Sequence, residues 1–246
     1  MKVEKFRDLT LLYQNEDTMM VIACDTCGAI GMKEGDVVKA NEELVGYLTA
    51  GVVLIELLAF RAKPIILVNN FCIEMKPTGE RIISGIQKAI IDCGLEKDIV
   101  FTGSTEENMP TSQTSIGVTG IGTIDLKTWI KPKTYKGDAL FLIGRPKVGL
   151  EIVNSSDPFI IKMISNISNI SGVNEILPVG SKGIDYEIGE LCKSNKLEFN
   201  YRENVAVDVN KSAGPVTCIL VSGQEEILIN NFTEQDIEYF YLGDFS

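Results

Sequence analysis

Three places in this 246-residue chain carry side chains that could do chemistry. Asp25 follows the apolar run MMVIAC, Met19 to Cys24, and precedes Gly28, Gly31 and Lys33. A carboxylate where a buried strand ends, beside a glycine-bearing loop, can hold Mg²⁺ while backbone amides and a lysine approach a phosphate. An Asx turn would explain the same aspartate with no ligand. Glu56 interrupts the nearly apolar stretch from Leu44 to Phe60. An ionised carboxylate there needs a partner, either Arg61, Lys63 or a metal, unless it lies on an exposed helix face. The segment GSTEENMPTSQT, Gly103 to Thr114, brings together Ser104, Thr105, Glu106, Glu107 and Asn108. That density of hydroxyls, amides and carboxylates suits a metal–phosphate or sugar-hydroxyl site. A solvated loop is the plain alternative, but apolar elements on both sides should hold this one rigidly.

Composition removes much other chemistry. There is no histidine, which excludes the Ser–His–Asp triad, the Cys–His pair and most catalytic zinc sites. The net charge is −11 with no cluster of Lys and Arg, so nucleic acid is not an expected partner. An acidic chain can still bind phosphate through a bridging divalent cation. Neither GxxxxGK[ST] nor a helix-opening GxGxxG is present. Cys24-x-x-Cys27 is half a zinc site with no second half, and six scattered cysteines read as reduced, mostly buried thiols. The opening MKVEKFRDLTLL carries charges within its apolar stretch, so no signal peptide is expected and the chain reads as cytoplasmic. The longest apolar stretch, Leu44 to Ile55, is too short to span a bilayer, so no membrane association is expected.

The elements that must position these residues follow from periodicity. Met19–Cys24 and IILVNNF, Ile65 to Phe71, read as buried strands. Asn41 caps a helix running to about Phe60. Thr78 caps a second, with Ile82, Ile86 and Ile90 on one side and Gly94 at its end. Ile99–Thr102 is a short strand; Ile116, Val118 and Ile124 mark a glycine-rich one. KPKTYKG, Lys131 to Gly137, has boundary composition, which divides the chain into domains 1–134 and 135–246. In the second, Ala139 opens a strand, Asp157 and Pro158 start a helix bearing Phe159, Met163, Ile167 and Ile170, and Ile176–Val179 is a strand. A helix over Ile184–Lys193 follows, then strands at Thr217–Val221 and Ile227–Ile229. This mixed order predicts an α+β fold in both halves rather than a doubly wound sheet.

With these blocks in order, the chain resembles the PurM-like (aminoimidazole ribonucleotide synthetase-related) ATP-binding superfamily. ACDTCGAIGMK resembles the family stretch in which an Asp ends a strand and a glycine run leads to Lys. LIELLAFRAKPIILVNNF resembles the stretch with an acidic residue before a turn and strand, with Glu56 where the family usually has Asp. FTGSTEENMP resembles the Gly-Gly-acid-Thr…Met-Pro loop, through Gly103, Thr105, Met109 and Pro110. GSKGI and SAGPVTCILVS resemble later segments. One departure is Thr102-Gly103-Ser104, which lacks the loop's acid, so that Glu106 or Glu107 takes its place. The resemblance implies an N-terminal mixed sheet with helices, a smaller C-terminal α/β domain, a homodimer, and ATP and Mg²⁺ as cofactors. It implies Asp25, Glu56 and Glu106 as metal ligands, and Asp25, Glu106 and Glu107 as catalytic carboxylates. Gly28, Gly31, Lys33, Ser104, Thr105 and Asn108 would contact phosphate or substrate. The STEENMPTSQT loop and compact length look most similar to the α-ribazole kinase branch, with a small-molecule phosphate acceptor. Thiamine-monophosphate kinase, aminoimidazole ribonucleotide synthetase or a non-catalytic nucleotide-binding module are the alternatives.

Overall fold

The computed structural model describes residues 1–155 and 160–246. It separates into two units, Met1–Leu58 with Ala62–Trp129, and Ala59–Arg61 with Ile130–Ser246.

The first unit is built on a six-stranded sheet. Its strands are β1 (Lys2–Phe6), β2 (Leu9–Tyr13), β3 (Thr18–Gly28), β6 (Lys63–Phe71), β7 (Val100–Ser104) and β8 (Ser115–Asp125), with a short parallel pair β4 (Ile30–Gly31) and β5 (Val38–Lys39) beside it. The order is β1-β2-β3-β8-β6-β7, antiparallel except for the parallel β6–β7 pair. Helices α1 (Glu42–Ala59) and α2 (Glu80–Asp92) complete the unit. Asn41 caps α1 as expected, its Oδ1 accepting the Glu43 N–H at 2.8 Å. α2 ends in hydrogen bonds from Gly94 N to Ile91 O and from Leu95 N to Ile90 O, with Gly94 at φ +71°. That is the expected glycine stop.

Packing explains the glycines of β8. Beside Gly120 lie the side chains of Val53, Leu57 and Leu67, so α1 covers this face of the sheet closely. Alternation then assigns Met19, Val21 and Ala23 of β3, all buried, to the helix-covered side. Met20, Ile22, Ile66, Val68 and Ile121 belong to the other face and are partly exposed. α1 and α2 touch through glycine: a side chain at Gly46 would strike the Ile82 carbonyl, and one at Gly85 the Glu43 carbonyl.

The second unit has a five-stranded antiparallel sheet of β9 (Ala139–Gly144), β10 (Val173–Pro178), β11 (Phe199–Tyr201), β12 (Cys218–Gly223) and β13 (Tyr239–Phe245), in the order β10-β12-β9-β13-β11. Its helices are α3 (Leu150–Val153), α4 (Ile164–Ser168), α5 (Ile184–Asn195) and α6 (Glu225–Glu234). Leu140 and Leu142 of β9 pack with Ile184, Ile188 and Leu191 of α5. Phe141, alternating to the other face, meets Phe232 of α6 edge-on at 5.6 Å. Burial of β9 on both faces explains its unbroken apolar sequence. The fully buried Glu175 accepts the backbone N–H and hydroxyl of Thr134 at 2.9 and 2.7 Å, and Asn195 Nδ2 at 2.8 Å.

The fold is α+β, as the mixed order implies, with several local corrections. Ile227–Ile229 lies within α6, not a strand: Leu228 and Phe232, four apart, are its buried face. Thr78 does not cap α2, which starts after Gly79; its hydroxyl instead donates to Glu74, within a helical turn over Met75–Gly79. β3 continues past Cys24 to Gly28, because β8 pairs with it along that whole length. The expected Asp157, Pro158 and Phe159 helix start lies outside the described residues; beyond it are a 3₁₀ turn at Ile160–Lys162 and α4. The thiols are less buried than expected, since Cys24 and Cys72 are exposed.

Candidate active site

Asp25 is not at a strand end but inside β3, opposite Val118. Alternation puts it on the helix-covered side with Ala23 and Cys27. Burial pushes its carboxyl up to about 6, against the opposing effect of a hydrogen bond from the Thr26 backbone. Cys27 is pushed up to about 11, first by burial and then by the charge of Asp25, against a hydrogen bond with Thr49 of α1. Cys24 is three residues before Cys27 on one strand and so projects from the opposite face. The pair cannot share a metal or form a disulfide within that strand.

The segment after β3 folds back through Asp36, which is 5% exposed. One carboxylate oxygen accepts the Thr114 N–H at 2.7 Å; the other accepts the Thr114 hydroxyl and the Lys33 N–H, both at 2.8 Å. Gly35 N donates to Ser112 O at 2.8 Å, and Gln113 Nε2 to Gly35 O at 2.7 Å. Gly31 is required by this closeness: a side-chain carbon there would collide with the Thr114 hydroxyl and the Asp36 carboxylate. Two segments 78 residues apart are thus stitched into one wall.

That wall aims Lys33 inward. Its ammonium, with only 15% of the side chain exposed, meets Glu74 Oε2 at 2.5 Å and Thr111 O at 3.2 Å. Glu74 Oε1 accepts the Thr78 hydroxyl. Burial pushes the Glu74 carboxyl up, but the hydrogen bonds from Lys33 and Thr78 outweigh it and leave it below the usual range. Among the described residues, Thr111 Oγ1 is enclosed and has no hydrogen-bond partner.

In the polar loop, Glu107 accepts the Met75 N–H and the Thr105 hydroxyl, both at 2.8 Å. It therefore ties the loop to the segment bearing Glu74. Glu106 accepts the N–H groups of Asn108 and Met109 at 2.7 and 3.2 Å, turning its own loop. Ser104 belongs to β7, paired with Asn70, rather than to the loop. Gly103 lies against Asn69, whose side chain is buried.

The structure therefore brings Lys33 together with the polar loop, and Gly31 with the loop's end at Thr114. It does not gather Asp25, Glu56 and Glu106: among the described residues, no three Asp, Glu or Cys side chains form a metal-binding group. Glu56 lies seven residues beyond Thr49, roughly 10 Å further along α1 than the point facing Cys27. Lys63, one expected partner, pairs with Asp98 at 2.6 Å. Sequence reasoning missed Asp36 and Glu74 and gave Thr78 only a capping role. Asp36 directly follows the Gly35 turn, which was the available signal; nothing local marks Glu74.

Comparison with solved structures then decides the fold. Thiamine-monophosphate kinase from Stenotrophomonas maltophilia K279a superposes with a TM-score of 0.67 at 14% identity, over 97% of this chain and 86% of that one. The Aquifex aeolicus thiamine monophosphate kinase gives 0.65 at 15% identity, over 98% and 89%. This chain has the PurM-like fold. A third neighbour, T. maritima PurL complexed with ATP, gives 0.66 at 13% identity, over 96% of this chain and 41% of that longer one. Sequence comparison adds nothing to the PurM-like assignment: no protein-family profile and no curated protein matches the chain. Among the described residues, no helix is long and apolar enough to cross a membrane.

Proposed function

We propose that this chain is an ATP- and Mg²⁺-dependent small-molecule kinase, with α-ribazole as the best candidate acceptor. The observation that carries this reading is the fold-level likeness, over nearly the whole chain, to thiamine-monophosphate kinases, one of them, AaThiL, complexed with AMPPCP and TMP. The site supports it through its charge distribution. Asp25 is a half-buried carboxylate raised by desolvation. An oxygen donor of that kind fits Mg²⁺, which binds one or two carboxylates and fills its remaining positions with water and phosphate. A gathered set of three protein carboxylates is not needed for that. Mg²⁺, when bound, supplies neutralisation of phosphate charge.

The chain's own residues would then do the positioning that phosphoryl transfer mainly requires. Asp25 would hold the cation. Asp36 fixes the Lys33 segment against Thr114, and Glu107 fixes the polar loop to Met75. These ties hold the site in place before ligand arrives, so little reorganisation is needed. We further propose a homodimer through the exposed face of the first sheet, where Met20, Ile22, Ile66, Val68 and Ile121 lie.

The test is calorimetry with ATP, with and without Mg²⁺, on the wild type and Asp25→Asn. ATP consumption is then screened with α-ribazole, thiamine monophosphate and formylglycinamidine ribonucleotide. Mg²⁺-dependent ATP binding that Asp25→Asn abolishes, with turnover of one acceptor, supports the reading. A second reading, a nucleotide-binding module without activity, is favoured by one observation: Ser104 stands in place of the loop acid, and both nearby glutamates bind backbone amides. ATP binding with no turnover of any acceptor would support it.

A further inference from the structure

The Lys33–Glu74 pair is at odds with a simple phosphate clamp. A lysine that neutralises phosphate should carry uncompensated charge towards its ligand. Here a carboxylate touches the ammonium at 2.5 Å, so the positive charge is largely offset within the protein. Glu74 would also repel an approaching phosphate, because its hydrogen bonds keep it ionised.

What remains open on these groups is hydrogen-bonding capacity. An ammonium has three donors, and Lys33 uses two, on Glu74 and Thr111 O. A carboxylate accepts about four hydrogen bonds, and Glu74 is engaged by Lys33 and Thr78 while 30% of its side chain stays exposed. Thr111, whose carbonyl holds Lys33, keeps an enclosed hydroxyl with no partner. An enclosed polar group without a partner is costly unless a ligand or water satisfies it. Lys33 Nζ joins Glu74 to the Thr111 carbonyl, so donor and acceptor lie together, and the enclosed hydroxyl belongs to the residue beside them. The group that fits is neutral and can both give and take a hydrogen bond.

We propose that Lys33, Glu74 and Thr111 form the binding site for a hydroxyl group of an uncharged, hydroxyl-bearing acceptor. The hydroxyl accepts from Lys33 and donates to Glu74, and Thr111 binds a neighbouring polar atom. Thr78 is a positioning residue that orients the Glu74 carboxylate. The inference deepens the kinase reading and rests on it for the word acceptor. It favours an unphosphorylated nucleoside over a phosphate-bearing substrate such as thiamine monophosphate at this position.

The experiment is calorimetry on the full chain with α-ribazole and other unphosphorylated nucleosides, thiamine monophosphate and inorganic pyrophosphate, alongside a separate titration with Mg²⁺ and ATP. The wild type should bind at least one unphosphorylated nucleoside more tightly than thiamine monophosphate. Lys33→Met, Glu74→Ala and Thr111→Val should each weaken that nucleoside at least about tenfold, while the affinity for Mg²⁺ and ATP stays unchanged. Thr78→Ser should keep wild-type affinity and Thr78→Val should lose it. If Lys33→Met does not fold, judged by circular dichroism, Thr111→Val gives the same readout from outside the ion pair. Weakening of pyrophosphate or ATP by Lys33→Met, with the nucleoside unaffected, would overturn the proposal in favour of a phosphate clamp. So would failure of every unphosphorylated nucleoside to bind. If the nucleoside binds through Lys33 but ATP does not bind the wild type, the kinase reading falls and the hydroxyl site stands.

Discussion

Asp36 and Thr114, 78 residues apart, are joined twice: Thr114 N–H to one carboxylate oxygen at 2.7 Å and Thr114 hydroxyl to the other at 2.8 Å. Both residues are buried, Thr114 completely. Removing the carboxylate would leave the Thr114 N–H, its hydroxyl and the Lys33 N–H without this acceptor. Asp36→Ala should therefore cost about 2–4 kcal/mol, whereas Thr114→Val, which loses one hydroxyl bond, should cost about 1 kcal/mol. Urea denaturation of both variants measures the difference. Equal costs would mean that Asp36 does not hold the wall together.

Asp25 makes a pH prediction of definite sign. Its folded carboxyl lies at about 6, above the ordinary 3.8 of the unfolded chain. Between those values the folded state keeps the proton that the unfolded state releases. Unfolding free energy from this group therefore falls as pH rises from about 4 to 6, and stays low above 6. Asp25→Asn should flatten that slope and be more stable at pH 7 by about 2–3 kcal/mol, since each shifted unit is about 1.4 kcal/mol. Bound Mg²⁺ requires the ionised form, so Mg²⁺-dependent ATP affinity should weaken as pH drops below about 6. Denaturant titrations at pH 4, 5.5 and 7 check the first statement; a variant with the wild-type slope would assign the titration elsewhere.

What the sequence revealed and concealed follows from the range of each signal. Asn41, Gly94 and the Ile82–Ile86–Ile90 spacing are local signals, and the elements they mark are present. The extension of β3 through Asp25 depends on eleven paired positions in β8, about ninety residues away, so no window around Asp25 could reveal it. Ile227–Ile229 looked like a strand because three apolar or β-branched residues were read without Phe232, whose spacing from Leu228 is helical. The site divided in the same way. Lys33 and the polar loop stood out by composition, whereas Asp36 and Glu74 owe their roles to partners far along the chain.

The proposed dimer face offers a third test. Val68 and Ile121 lie on the sheet face away from α1 and are partly exposed. If two copies cover that face, an aspartate introduced there would be buried without a partner. Light scattering should show a dimer for the wild type at micromolar concentration and a monomer for Val68→Asp with Ile121→Asp. A wild-type monomer would refute the dimer, and a dimer unaffected by both changes would move the interface to another face.

The last prediction separates Glu106 from Glu107, neighbours with different surroundings. Glu107 reaches outside its loop to Met75 N, one residue from Glu74, and also holds the Thr105 hydroxyl. The Glu106 carboxylate accepts from Asn108 and Met109 within the loop, and its backbone N–H donates to Ile73 O. Loss of the Glu107 acceptor should let the Glu74 segment drift relative to the loop, and a small misplacement of a positioned group can cost a large factor in rate. Loss of the Glu106 acceptor should loosen a turn that solvent can satisfy. Glutamine keeps a carbonyl oxygen that can accept the same N–H bonds, so it is the conservative control in each case. Glu107→Ala should lower kcat/KM for the acceptor at least about tenfold, roughly 1.4 kcal/mol, and Glu107→Gln should recover most of it. Glu106→Ala should change stability by about 0.5 kcal/mol or less and leave the rate near wild type. If either glutamate instead replaces the acid missing at Ser104 as a metal ligand, its glutamine variant will fail where the scaffold role predicts recovery, and the Mg²⁺ concentration needed for half-maximal activity will rise. Steady-state kinetics at varied Mg²⁺ on the four variants decides between the two roles.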